Sequence, residues 1–358
     1  MSKITAIGTA VPAYRHRQED IPAFMQKVYA LDEAGSRKLK FLYRQSGIET
    51  RYSVIPDYSL PAESWQFYPA TENLSPFPGL EKRMLWYQRN AASLSLKAIK
   101  KCVENFSNIT HLITVSCTGM SAPGLDLELL EMMKLPANTF HTSVNFMGCY
   151  AAIHALKMAD AFCKADNRAN VLIVCTELCT IHFQKENTTD SITSSMLFSD
   201  GAAAILVSAN DDACGLHIDH FYSTVELEGK KDMAWQLSSK GFLMTLSGYV
   251  PELIEKDFNG LVSNALSGAG LNQQDITQWC IHPGGKKILE SVHKSLAFNN
   301  GQLNLCYDVL REYGNMSSPT VLFVLEKIMK ATNGKRNEKI FGAAFGPGIS
   351  METFILSA

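Results

Sequence analysis

Apolar residues recur along this chain in two spacings, and the alternation between them sets the expected architecture. Segments of strand length, rich in β-branched and apolar residues, stand at KITAIG (3–8), HLITVSC (111–117), TFHTSVNF (139–146), NVLIVCTE (170–177) and ITQWCIH (276–282). LFSDGAAAILVSAN (197–210), a stretch near Leu216–Val225, KIFGAAF (339–345) and SMETFILSA (350–358) add further strands. Between them the spacing turns helical, at Gln18–Ala30, Gly35–Gln45, Glu81–Phe106, LDLELLEMMKL (125–135), Val250–Ser267, KKILESVHKSL (286–296), Leu305–Tyr313 and Pro319–Lys330. Residues 52–80, with Pro56, Pro61, Pro69, Pro76 and Pro78, read as one long connection, and the stretch before residue 197 reads as a polar loop. Strands alternating with helices predict an α/β fold with a parallel or mixed sheet. Two related halves, 1–212 and 213–358, are expected on element order alone.

One segment joins the two spacings. NFMGCYAAIHALKMADAF (145–162) leaves a strand, turns at Gly148 and enters a helix whose first turn is expected to hold Cys149. Ala151, Ala152 and Ala155 are small enough for that helix to lie deep between its neighbours. The positive end of a helix favours a thiolate, the nucleophilic form of a group whose free pKa is about 8.5. A cysteine is as readily a small packing residue, so this thiol acquires meaning only through what else the chain carries.

Composition narrows the field mainly by exclusion. With 358 residues, 46% of them hydrophobic, the chain can bury a large core. Its 33 Lys and Arg against 35 Asp and Glu give no electrostatic case for nucleic acid or an anionic membrane as the main partner. The start, MSKITAIGTAVPAYR, argues against a secretory signal. No segment reaches the roughly 18 to 20 apolar residues of a membrane span, so a cytoplasmic protein is expected. Nine scattered cysteines suit reduced thiols better than a disulfide framework or a zinc site.

Three downstream features could act with Cys149. His282 stands at the exit of a strand, before Pro283, Gly284 and Gly285, a place that opens onto a cleft. YGNMSSP (313–319) sets Asn315 between a glycine and a helix start, where it also suits a turn. The glycines of FGAAFGPGIS (341–350) allow the backbone to approach a ligand or a nucleophile closely. A thiolate can attack an acyl carbon while His and Asn donate to the developing oxyanion. Two chemistries fit such a set: amide hydrolysis, and carbon–carbon bond formation from thioesters.

In order and spacing, NFMGCYAAIHAL, IHPGGKKIL, YGNMSSPTVLFVL and AFGPGISMET closely resemble the type III polyketide synthases, the chalcone synthase-like branch of the thiolase-fold condensing enzymes. The resemblance runs from KITAIGTAVP almost to the last residues. It implies a thiolase-like layered fold (αβαβα) and a homodimer, with acyl-CoA and malonyl-CoA as substrates and neither cofactor nor metal. Catalysis would fall to Cys149, His282 and Asn315. The family's two gatekeeping phenylalanines fall on Phe198 and on Met244, the second a departure. Its small polar chamber residues correspond to Cys117, Thr118 and the Cys179–His182 stretch, with His182 as a chamber wall. Gly346, Pro347 and Gly348 form the loop beside the site. A methionine that reaches into the partner's cavity in plant members is Ala122 here. Lys38, Lys40, Arg44 and Arg51 lie in the region where the family places its coenzyme A cations, without matching them residue by residue, and Lys287 is a further candidate beside the tunnel.

The implied product is a pyrone, resorcinol or phloroglucinol/chalcone-type ring built by iterative condensation. The alternatives are a single-step β-ketoacyl synthase of fatty-acid type, a Cys-His-Asn hydrolase and a non-catalytic scaffold. Against the hydrolase, Cys149 sits mid-chain in GCYAA rather than in the papain-like signature. Against the scaffold, all three catalytic positions are kept.

Overall fold

The computed structural model describes residues 2–210, 212–299, 301–332 and 337–358. The chain opens with β1 (Lys3–Ala10), β2 (Tyr14–Arg17), α1 (Ile21–Val28), α2 (Glu33–Gln45), β3 (Thr50–Ser53) and the long helix α3 (Leu80–Cys102). It continues through β4 (His111–Ser116), α4 (Leu125–Met132), β5 (Phe140–Asn145), α5 (Ala151–Ala165), β6 (Asn170–Leu178), α6 (Thr189–Leu197) and β7 (Asp200–Ser208). The remainder comprises β8 (Leu216–Val225), β9 (Met233–Ser238), β10 (Gly241–Leu246), α7 (Val250–Gly268), β11 (Gln278–Ile281), α8 (Lys286–Ser295), α9 (Asn304–Tyr313), α10 (Thr320–Thr332), β12 (Lys339–Gly346) and β13 (Ser350–Ser357).

Nine strands pair in the order β11-β12-β13-β8-β1-β7-β6-β4-β5. Outward from the β1–β8 junction, two runs follow the same rule. β1, β7 and β6 pair antiparallel in turn and β6 pairs parallel with β4; β8, β13 and β12 pair antiparallel in turn and β12 pairs parallel with β11. The mixed sheet is thus the expected α/β arrangement.

Two helices lie inside the layers. In α10 the run Thr320–Leu325 is buried at six consecutive positions, which a helix with one solvent face cannot achieve. α5 buries Ala151, Ala152, Ile153, Ala155 and Leu156. Each touches both runs: α5 meets β4, β6, β7 and β13, and α10 meets β11, β12, β1 and β7. The small side chains of α5 permit this depth, as its sequence suggested. Among the described residues no helix is long and apolar enough to cross a membrane.

Two expectations need correction. The stretch before residue 197 is not a plain loop but holds a short 3-10 turn, Cys179–His182, and then α6. Its sequence, TDSITSSML, is too rich in Ser and Thr to announce a helix. Capping by Thr188, which accepts from Ser191 N, a hydrogen bond donated by the Tyr29 hydroxyl to Ser195 Oγ, and another between Ser195 Oγ and the Tyr43 hydroxyl hold it in place. The β9–β10 hairpin was likewise unanticipated, since its residues show no regular alternation.

Candidate active site

The Cys149 turn is shaped by its neighbours. Gly148 has φ +91°, and a Cβ there would stand 2.1 Å from Pro347 Cδ, so only glycine fits. A Cβ at Gly346 would meet the Tyr150 ring at 2.5 Å. The Gly346-Pro347-Gly348 loop therefore packs against the Cys149 turn. Cys149 lies just ahead of α5, whose N-cap is Tyr150, rather than within its first turn. Nor is the thiol activated at rest. Cys149 is only half-buried, yet the protein packed around its sulfur pushes its pKa up to about 12, against the pull of the Ser317 hydroxyl and the Asn315 amide. Desolvation outweighs the helix end, so the resting sulfur is a thiol.

The loops after β11 and α9 meet at this turn. Cys149 Sγ donates to Ser317 Oγ at 3.5 Å, and Ser317 N donates to Asn315 Oδ1 at 2.8 Å. Asn315 Nδ2 donates to Gly284 O at 3.1 Å, and Gly284 N donates to His282 O at 2.9 Å. His282 is 1% exposed, and neither ring nitrogen has a hydrogen-bond partner among the described residues. Burial lowers its pKa to about 3. Ser317 and Phe146 hold φ of +60° and +61°, rare for residues with a Cβ and frequent at functional sites.

Behind the turn lies a carboxyl that sequence reasoning missed. Glu177, at the end of β6, accepts from Cys117 N, Thr118 Oγ1 and Ser318 Oγ, and burial raises its pKa to about 7. Cys117 and Thr118 belong to this network. Cys117 Sγ also accepts from Gly148 N at 2.9 Å, and Thr118 Oγ1 from Leu178 N. Both residues are buried by these bonds and do not border the adjacent cavity.

That pocket is partly open and spans about 350 Å³ when the adjoining solvent space is counted. Phe198, Met244 and His182 line it, together with Cys179 and with Trp235 and Phe242, which the sequence did not single out. His182 stacks on Phe242 with ring centres 4.3 Å apart, and Trp235 stands edge-on to it at 6.1 Å and opposite Met244 in the hairpin. His182 Nε2 donates to Thr118 O (2.8 Å) and its Nδ1 accepts from Phe242 N (3.2 Å).

Arg51 is not on the surface with the other proposed phosphate contacts. It is 2% exposed, and its Nη1 donates to Ser195 O and Phe198 O, both at 2.6 Å. Lys38, Lys40, Arg44 and Lys287 are exposed. A Cβ at Gly47, just past α2, would lie 3.4 Å from the Lys286 side chain, so the end of α2 and the start of α8 adjoin. All nine cysteines are free, and no cluster of His, Cys, Asp or Glu among the described residues is arranged to hold a metal ion.

Comparison with known proteins agrees with this geometry. Residues 1–211 match the N-terminal domain of the chalcone and stilbene synthases, and residues 222–358 match the C-terminal domain. A probable polyketide synthase 1 of Dictyostelium discoideum is 28% identical over 98% of this chain, which spans 11% of that protein's length. A putative chalcone synthase of Bacillus subtilis is 27% identical, with 100% of this chain and 99% of the relative covered. Among solved structures, PKS-I of the brown alga Ectocarpus siliculosus superposes with a TM-score of 0.92 at 28% identity, covering 99% of this chain and 98% of the other. The C-terminal type III polyketide synthase domain of Steely1, a type I/III hybrid from Dictyostelium, gives 0.91 at 26% identity, with 99% of each chain covered. With both family domains matched in order and the whole thiolase-like fold shared, the chain belongs to the chalcone and stilbene synthase family, the type III polyketide synthases.

Proposed function

We propose that this chain loads an acyl group from coenzyme A on Cys149, decarboxylates malonyl-CoA and repeats the condensation before closing a pyrone, resorcinol or phloroglucinol/chalcone-type ring. The observation that carries this reading is the run of contacts from the Cys149 thiol through Ser317 and Asn315 to Gly284 and His282, beside a cavity bordered by Phe198.

In this reading Cys149 Sγ attacks the starter's thioester carbon while its proton passes to the neutral His282, and coenzyme A leaves as a thiol after taking that proton. Loss of carbon dioxide from malonyl-CoA leaves an enolate. Asn315 uses one amide N–H on Gly284 O and keeps the second for the enolate oxygen, and the unpaired imidazole of His282 offers another donor. The carbanion carbon then bonds to the acyl carbon, and the Cys149 sulfur leaves as the carbonyl re-forms.

Phe198 and Met244 would govern passage into the chamber, and the His182, Phe242 and Trp235 wall favours a compact ring over a chalcone. Lys38, Lys40, Arg44 and Lys287 would meet the coenzyme A phosphates, and Gly346, Pro347 and Gly348 would bound the substrate beside the cysteine. The two halves, 1–212 with the nucleophile and 213–358 with His and Asn, would each be a thiolase-like unit. A cytoplasmic homodimer needing no metal or cofactor belongs to the same proposal. Supporting it, β5 forms one edge of the sheet and leaves Phe140 48% exposed, so pairing of two such edges would cover both.

The test is a product assay with malonyl-CoA and a panel of acyl-CoA starters, read by mass spectrometry beside Cys149→Ala and Asn315→Ala. A ring built from several malonyl units, absent from both variants, is expected. A single condensation that requires an acyl carrier protein would instead establish the fatty-acid type of synthase.

A further inference from the structure

The placement of Arg51 points to a role beyond the residues discussed so far. It sits in β3, and almost every residue around it is tied to one of two segments. On one side the strap meets the end of α9: Glu49 N donates to Arg311 O (2.8 Å), Thr50 Oγ1 to Glu312 O (2.6 Å), and Tyr52 stacks on Tyr313 at 5.8 Å. On the other side it meets the end of α6. Arg51 Nη1 holds Ser195 O and Phe198 O, Tyr52 N donates to Ser199 Oγ (3.0 Å), and Val54 N donates to Asp200 Oδ2 (2.8 Å).

The two gripped segments are themselves paired. Asn315 N donates to Leu197 O and Ser199 N to Asn315 O, both at 2.9 Å, which brings Phe198 and Asn315 side by side. At Gly314, with φ +69°, a Cβ would lie a tight 3.1 Å from Arg51 Cδ. A guanidinium suits the end of α6, where carbonyls lack helical partners and the helix dipole is negative. Yet the arrangement is expensive for the fold. Among the described residues Arg51 makes no ion pair, and its Nε and Nη2 are buried with no hydrogen-bond partner. An apolar side chain of similar volume would spare these two nitrogens their desolvation but would leave Ser195 O and Phe198 O without a donor and remove the guanidinium from the Tyr43 ring.

We propose that Arg51 is a positioning residue for decarboxylation: by fixing the last turn of α6 against the Asn315 loop, it keeps the Phe198 ring and the Asn315 amide in one relative placement while substrates pass. This rests on the function proposed above. The test uses the full chain carrying Arg51→Met or Arg51→Lys, with three readouts: thermal unfolding, alkylation of Cys149 by iodoacetamide, and kcat and KM for malonyl-CoA decarboxylation. Arg51→Met should still fold, with a thermal transition somewhat earlier than the wild type's because Ser195 O and Phe198 O lose their donor. Its kcat should fall about a hundredfold with KM and the alkylation rate held within about twofold, as for a misplacement of roughly an ångström.

Arg51→Lys, which can still donate to one carbonyl, should lose about tenfold, and it decides the matter if Arg51→Met does not fold. Undiminished kcat in a folded variant overturns the assignment of Arg51 and leaves the enzyme reading intact. A proportional loss of alkylation and decarboxylation overturns it as well, because that marks general disruption. If the wild-type chain consumes no malonyl-CoA, the enzyme reading falls and the role of Arg51 falls with it.

Discussion

His282 and His182 are both almost fully buried, and burial pushes both imidazoles down to about 3, with the charge of Arg83 adding to the effect at His182. They differ in what their nitrogens do. In His182 both are committed to backbone, one donating to Thr118 O and one accepting from Phe242 N, which fixes a single neutral tautomer and ties the Cys179–His182 turn to β10. In His282 neither has a partner among the described residues. A buried polar group without a partner costs about 1–3 kcal/mol, a penalty that proteins tolerate where the group has another use. Burial and a shifted pKa alone therefore do not distinguish these two histidines. Unspent hydrogen-bonding capacity is what the proposed function asks of His282, although it is not by itself a mark of catalysis, since His217 Nδ1 is also buried without a partner among the described residues.

The sharpest way to break this comparison is to remove each ring in turn. Loss of the Asn315 amide in Asn315→Ala, or of the imidazole in His282→Ala, should lower malonyl-CoA decarboxylation by about 10²–10³-fold each, the range for one oxyanion donor. His182→Ala should leave decarboxylation close to the wild-type rate but strand Thr118 O and Phe242 N. A loss of about 1–3 kcal/mol of stability, read by denaturant unfolding, is the expected signature. Equal losses of activity in both histidine variants would erase the distinction. Trp235→Gly is gentler on rate but should alter what is made. Opening the wall beside His182 and Met244 lengthens the chamber, so mass spectrometry should find products with more malonyl units or larger starters. An unchanged product would mean that the wall does not set chain length.

How much of this could be read from the chain depends on where each residue stands. Cys149, His282 and Asn315 each sit where a periodic element meets a glycine, so pattern alone makes them visible. The α/β architecture and the depth of α5 follow from apolar spacing in the same way. Glu177 is hidden inside the apolar run NVLIVCTE, where a strand's last residue gives no sign of the network it will accept. Ser317 reads as a helix start, and nothing in its local sequence reveals the bond from Cys149. Trp235 lies in a hairpin without alternation. Arg51 was grouped with Lys38, Lys40 and Arg44 because a cation in sequence carries no mark of burial; only the pairing of β3 against α6 and α9 removes it from solvent.

The last test concerns pH, where the buried histidines and the buried carboxyl act in opposite directions. A histidine with a folded pKa near 3 and an unfolded one near 6.5 contributes stability that is complete above about 6.5 and is lost as pH falls toward 3. His182 and His282 follow this course, and so does His16, which burial lowers to about 4. Glu177 does the reverse. Its folded pKa of about 7 exceeds the unfolded value of about 4.3, so its contribution is complete below 4.3 and is lost as pH rises through 7. Between roughly pH 4.5 and 6.5 the two trends offset each other. Asp200, buried and raised to about 6, acts in the same direction as Glu177. Glu177→Gln removes the Glu177 share, and its unfolding free energy should climb more steeply with pH across this window than the wild type's. The same substitution removes a charge that helps hold Cys149 as a thiol, so iodoacetamide should react faster with the variant above pH 7. If the two stability profiles run parallel, Glu177 keeps its charge throughout this range, and its ionisation cannot be the event that tunes the cysteine near neutral pH.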